Sequence, residues 1–283
     1  MRNGFLLFIV GLVLSTVLLA QTAPSGTDQL SSILARMKDR DLHAHLTAFY
    51  DLLNYASSEA AHGTQPRGPS DALNSFLVRH PDKADQVKLG LIELLKEENH
   101  SFIETKTPPP DSHEEDDVGE YYAALVDTVS SLNDERAIPA VVGAMTTGGM
   151  AERGVLKYGD KALQPVMEQF KSPDALVRAS ALEMATAILE EKNVPEAHAL
   201  VLNLLRVSLK DPGAVVRTQA VWEIDCLADR NEFVPVLQEI AKTDPLKLPG
   251  KAFDGGDGGQ FYPVRADARR ALRHIQNNQP CGP

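Results

Sequence analysis

Apolar residues recur at helical spacing through most of the chain, and the pattern divides into short helices separated by polar turns. Leu30, Ile33, Leu34 and Met37 line one face behind a cap at Thr27 or Asp28, and Leu42, Leu46, Phe49, Leu52 and Leu53 line a second. After a Gly/Pro stretch from Ala61 to Pro69, Leu73, Phe76 and Leu77 mark a third helix that ends at His80-Pro81. Val87, Leu91, Leu94 and Leu95 mark a fourth. These hairpins, over 27–99, are irregular. Residues 100–117 break the pattern. Three consecutive prolines there favour an extended backbone, and the acidic run after them repels itself, which predicts an exposed loop.

From Val118 the pattern becomes regular. Tyr121, Tyr122, Leu125, Val129 and Leu132 form one helix face, and turns at Asn133-Asp134-Glu135, Thr147-Gly-Gly and Gly159-Asp160 separate short helices. Pro139, Pro165 and Pro235 suit first-turn positions, where no N–H donor is required. In the helix expected over 194–209 that place falls on Leu200 or its neighbour. One unit stands out. Lys210-Asp-Pro-Gly-Ala-Val-Val-Arg217 leads into Ala220 and Val221, and 39 residues upstream Lys171-Ser-Pro-Asp-Ala-Leu-Val-Arg178 leads into Ala181 and Leu182. A truncated form returns as Tyr262-Pro-Val-Arg265, followed by Ala268. A repeated unit of this length predicts an all-α chain, an α-solenoid of stacked antiparallel helix pairs.

These units resemble HEAT repeats, in the variant known as PBS-lyase-like HEAT repeats. The resemblance is carried by turn-Pro-x-x-Val-Arg-x-x-Ala at Pro173–Ala181 and Pro212–Ala220, and by Asp134…Ala137-Ile-Pro139 and Gly159-Asp160…Ala162…Pro165. It covers about Gly119 to Ile275, so the repeats are placed over 118–276, and it extends weakly to the N-terminal hairpins. It implies an armadillo-like superhelix in which the Val-Arg arginines and turn aspartates form a structural ladder. By position that role goes to Arg178, Arg217 and Arg265, with Asp174 and Asp211 as the acids.

Composition adds what periodicity cannot. Arg2 followed by an apolar run from Phe5 to Leu19, then Leu-Leu-Ala20, resembles a signal peptide cleaved after Ala20, with 21–26 as a linker. The run is short for a bilayer span, so no stable membrane insertion is expected after cleavage, and the mature chain is expected in the periplasm or outside the cell. A net charge of −11 argues against a nucleic-acid partner. The chain has 2 cysteines, Cys226 in a helix expected to be mostly buried and Cys281 in the 277–283 tail. Two free thiols and a bridge pinning the tail both stay open.

Little in the chain points to catalysis. Gly-x-Gly-x-x-Gly, Gly-x-Ser-x-Gly and His-Glu-x-x-His are absent, and His43 and His45 fall on different sides of their helix. The one His-Glu pair, His113-Glu114, lies in the acidic stretch, so the resemblance does not extend to the diiron HEAT hydroxylases. An insertion at 246–261 carries Asp254 and Asp257 on a glycine-rich backbone, a weak calcium candidate; no other cofactor is implied. Five residues beyond the ladder arginines stand Glu183, Trp222 and Arg270, facing away from the alanine core positions. Trp222 is the sole tryptophan. It is an anchor candidate for another protein, with inter-repeat filler as the competing role. The function expected is a non-catalytic, exported adaptor or scaffold binding a protein on the face of the second helices. The alternatives are a lyase akin to the proteins whose repeats these resemble, or a calcium-stabilised surface module.

Overall fold

The computed structural model describes residues 26–39, 41–60, 69–104, 113–147, 149–192, 194–249 and 260–281. The described residues are all-α, apart from one two-residue ladder. Its helices are α1 (Gly26–Arg36), α2 (Leu42–Ala60), α3 (Pro69–Arg79), α4 (Pro81–Glu104), α5 (His113–Ser131), α6 (Ile138–Gly143) and α7 (Gly149–Tyr158). Then come α8 (Asp160–Glu168), α9 (Ala175–Glu191), α10 (Pro195–Ser208), α11 (Ala214–Cys226), α12 (Val234–Thr243) and α13 (Pro263–Gln276). Between the last two, β1 (Leu248–Pro249) pairs antiparallel with β2 (Gln260–Phe261), Leu248 opposite Phe261. The insertion is thus closed at its base, while its Asp254 and Asp257 lie outside the described residues.

Helix starts follow local chemistry. Proline occupies the first turn of α6, α10, α12 and α13, where its missing N–H costs nothing. Three expectations need correction here. The helix that begins at Pro195 carries its proline at the start, not a substitute near Leu200. Pro165 lies inside α8, because Asp160 already opens that helix behind Gly159 at φ 51°. The loop expected over 100–117 is also shorter: α4 continues to Glu104 and α5 begins at His113. The run 114–117 therefore falls in the first turns of α5.

One cluster of buried side chains runs from Leu30 to Ala271. Along it α3, α5, α7, α9, α11 and α13 each pack on the next odd-numbered helix, while α4 packs on α6 and α6 on α8. Small residues set the close approach: Ala181 and Ala185 of α9 and Ala220 of α11 are fully buried, which suits helices 8–10 Å apart. Gly154 does the same for α7. A Cβ there would stand 2.2 Å from Ser130 Oγ and 2.9 Å from Val141 Cγ1, so any side chain would force α7 off α5 and α6.

Candidate functional site

The ladder is built from three turns that share one geometry. Ser172, Asp211 and Asp244 each precede a proline, and each side chain accepts the N–H two residues on, from Asp174, Gly213 and Leu246 respectively. Arg178 Nη1 donates to the carbonyls of Ser172 and Pro173 at 2.9 and 3.0 Å. Arg217 Nη1 makes the equivalent bonds to Asp211 and Pro212 at 2.9 and 3.1 Å. Each guanidinium then reaches forward as a fork. Arg178 Nε and Nη2 donate to Asp211 at 2.9 and 2.7 Å, and Arg217 Nε and Nη2 donate to Asp244 at 2.7 and 3.1 Å. Arg265 Nε donates to the Asp244 carbonyl at 2.7 Å, with its guanidinium 4.1 Å above the Tyr262 ring.

Asp211 forms a rung with Arg178; Asp174 does not. Its carboxylate caps α9 by accepting the Leu176 N–H at 2.8 Å, and Ser172 holds the place equivalent to Asp211. The missed rung is Asp244, and the signal for it was its position directly before Pro245. The Arg178 hydrogen bonds hold the Asp211 carboxyl below its ordinary value, assisted by the Gly213 N–H. Burial pushes Asp244 up, but the hydrogen bonds and charge of Arg217, with the Leu246 N–H, bring it below the usual range.

Beyond each arginine the helices present an outer face. On α9 it carries Leu176 and Glu183; on α11, Val215 and Trp222; on α13, Pro263 and Arg270. The members of each pair lie seven residues, or two turns, apart. Leu176, Val215 and Trp222 are 59%, 37% and 46% exposed. Arg270 pairs with Asp267 at 3.1 Å, and its Nε is buried with no hydrogen-bond partner among the described residues. Glu223 lies between α9 and α11, accepting from Gln219 Nε2 at 2.7 Å and from Thr186 Oγ1 at 3.2 Å. Burial first, then repulsion from Glu183 and Glu190, raise its carboxyl from 4.5 to about 7, against the lowering effect of the Gln219 and Thr186 hydrogen bonds. Glu183 is raised too, by burial and by Glu152 on α7.

A carboxyl raised on folding weakens the fold as pH climbs through the interval between its two values, because the folded state holds the extra proton there. For Glu223 that interval runs from 4.5 to about 7. Glu223→Gln is expected to match wild type near pH 4 and to be more stable at pH 8 by about 1–3 kcal/mol. Thermal melts across pH measure this, and a variant weaker than wild type at pH 8 contradicts it.

Two further polar clusters were not legible in the sequence. His43 is exposed and His45 buried, as their spacing required, but His45 has a partner 53 residues away. Its Nδ1 lies 2.6 Å from Glu98 Oε1, while its Nε2 meets the Asp39 carbonyl. A carbonyl only accepts, so Nε2 is the donor in that bond. The Tyr121 hydroxyl donates to the same Glu98 oxygen at 3.2 Å, and Asn99 ties the Tyr122 hydroxyl to the Ala140 carbonyl. Burial, then the Glu98 charge, push both tyrosine hydroxyls up. With side chains 4% and 6% exposed, His45 and Glu98 bind α2 to α4 and face no solvent. At the other end, Cys226 and Cys281 form a disulfide with Cα atoms 4.9 Å apart. Cys226 is exposed, not buried, since it is the last residue of α11 and turns outward. Beside it, buried Asp225 accepts from His274 Nδ1 at 2.7 Å, and Arg230 donates to the Asp225 and Gln279 carbonyls at 2.7 and 2.5 Å.

Among the described residues no three His, Cys, Asp or Glu side chains converge as a metal site, and no helix is long and apolar enough to cross a membrane. The expected signal segment 1–20 lies outside these residues. No protein-family model matches the chain, and comparison with curated proteins gives no match.

Proposed function

We propose that this protein is an exported, non-catalytic adaptor whose helix pairs stack as a HEAT-like solenoid and bind another protein on the outer face of α9, α11 and α13. Two features support the solenoid: the run of odd-numbered helices packed each on the next, and the forward-reaching arginine forks at Arg178 and Arg217. One observation carries the binding role. Trp222, 46% exposed, lies on α11 two turns beyond the exposed Val215, and the α9 packed against it exposes Leu176. An exposed tryptophan on a preorganised surface is a common energetic anchor.

Paired affinity capture tests this. The mature protein is expected to retain one stoichiometric protein partner, and Trp222→Ala is expected to weaken that capture by roughly tenfold or more while Tm stays within about 2 °C. Equal capture by both proteins, or a large fall in Tm, would remove Trp222 as an anchor. Mass measurement of the exported form checks the other half, with cleavage after Ala20 expected.

A further inference from the structure

Around Trp222 the face is apolar and, toward α9 and α7, negative; on the α13 side Arg270 is paired with Asp267. Glu223 of α11 meets Thr186 of α9, about one turn past Glu183 and one turn before Glu190, and α9 packs on α7, which carries Glu152. Glu183 and Glu190 repel Glu223, and Glu152 repels Glu183. Among the described residues none of Glu152, Glu183 and Glu223 has a salt-bridge partner; the hydrogen bonds that Glu223 accepts come from the neutral Gln219 and Thr186. Carboxylates crowded in this way, half-buried beside a tryptophan, are stabilised by any cation brought against them. The protein as a whole carries −11, so a second copy, an anionic lipid surface or a nucleic acid would meet like charge here.

Resting on the adaptor reading, we infer that the occupant of this face is a basic peptide segment with apolar flanking residues: its Lys or Arg side chains lie over Glu183 and Glu223, and its apolar residues cover Trp222, Val215 and Leu176. Three successive helices at 8–10 Å spacing span about 20 Å, which roughly six extended residues cover, so a nonapeptide is long enough. The lone tryptophan is itself the reporter.

The test titrates the full mature chain with a nonapeptide of alternating lysine and leucine, following Trp222 emission. The controls are the same peptide with glutamate for lysine and with serine for leucine. The expected result is a saturable emission shift with the Lys/Leu peptide, weaker response to both controls, and loss of affinity as salt screens the charges. Glu183→Gln with Glu223→Gln is expected to weaken binding at least roughly tenfold. This double variant should be no less stable than wild type, so unfolding does not explain the loss. No saturation up to about 1 mM, equal binding of the Glu/Leu peptide, or unchanged affinity in the double variant would overturn the inference. So would a concentration-dependent dimer abolished by Trp222→Ala, which would assign the face to a second copy. Protein capture that needs Trp222 but ignores the two glutamates would sink the basic ligand and leave the adaptor standing.

Discussion

Arg217→Ala is expected to destabilise the protein by about 3–5 kcal/mol, the largest effect of any single ladder substitution. The Arg217 and Asp244 side chains are 11% and 2% exposed. Removing the guanidinium strands a buried carboxylate and also frees the Asp211 and Pro212 carbonyls it holds. Arg178→Ala should cost less, because Arg178 and Asp211 are 12% and 16% exposed and water can reach the orphaned acid. Chemical denaturation of both variants measures the order, and a double-mutant cycle with Asp244→Asn isolates the coupling. Arg217→Lys should recover little, since an ammonium cannot form the fork. A loss below about 1 kcal/mol for Arg217→Ala would place the pair with ordinary surface ion pairs. Acid should act through the same rungs: carboxyls held below their ordinary value contribute fully above about pH 4 and lose that contribution as pH falls.

Breaking the Cys226–Cys281 bridge is expected to cost about 2–4 kcal/mol. The bridge joins residues 55 apart and encloses α12, the two strands and α13. The reduced, unfolded chain regains the freedom of that whole loop, which sets the size of the effect. Asp225–His274 and the Arg230 bonds still hold the last helix to α11, so the loss should appear first as fraying of α13. Cys281→Ser and a phosphine reductant should lower Tm equally and without additivity. Thiol titration of the denatured, unreduced protein should find no free cysteine, and finding two would remove the bridge from the argument.

The helices, the first-turn prolines Pro139 and Pro235 and the recurrence of Val-Arg at 178 and 217 were legible in the chain alone, because a local window records backbone periodicity, capping and turn chemistry. Which acid each arginine would grip was not. The Asp174 carboxylate is nearest in sequence and caps its own helix, whereas the Arg217 fork closes on Asp244, 27 residues ahead. His45 with Glu98, Cys226 with Cys281 and the crowding around Glu223 likewise join groups far apart in the sequence. Such pairings depend on how far one helix slides and turns against the next. Side-chain volumes packed across the whole interface decide that register, and no single stretch of sequence contains it.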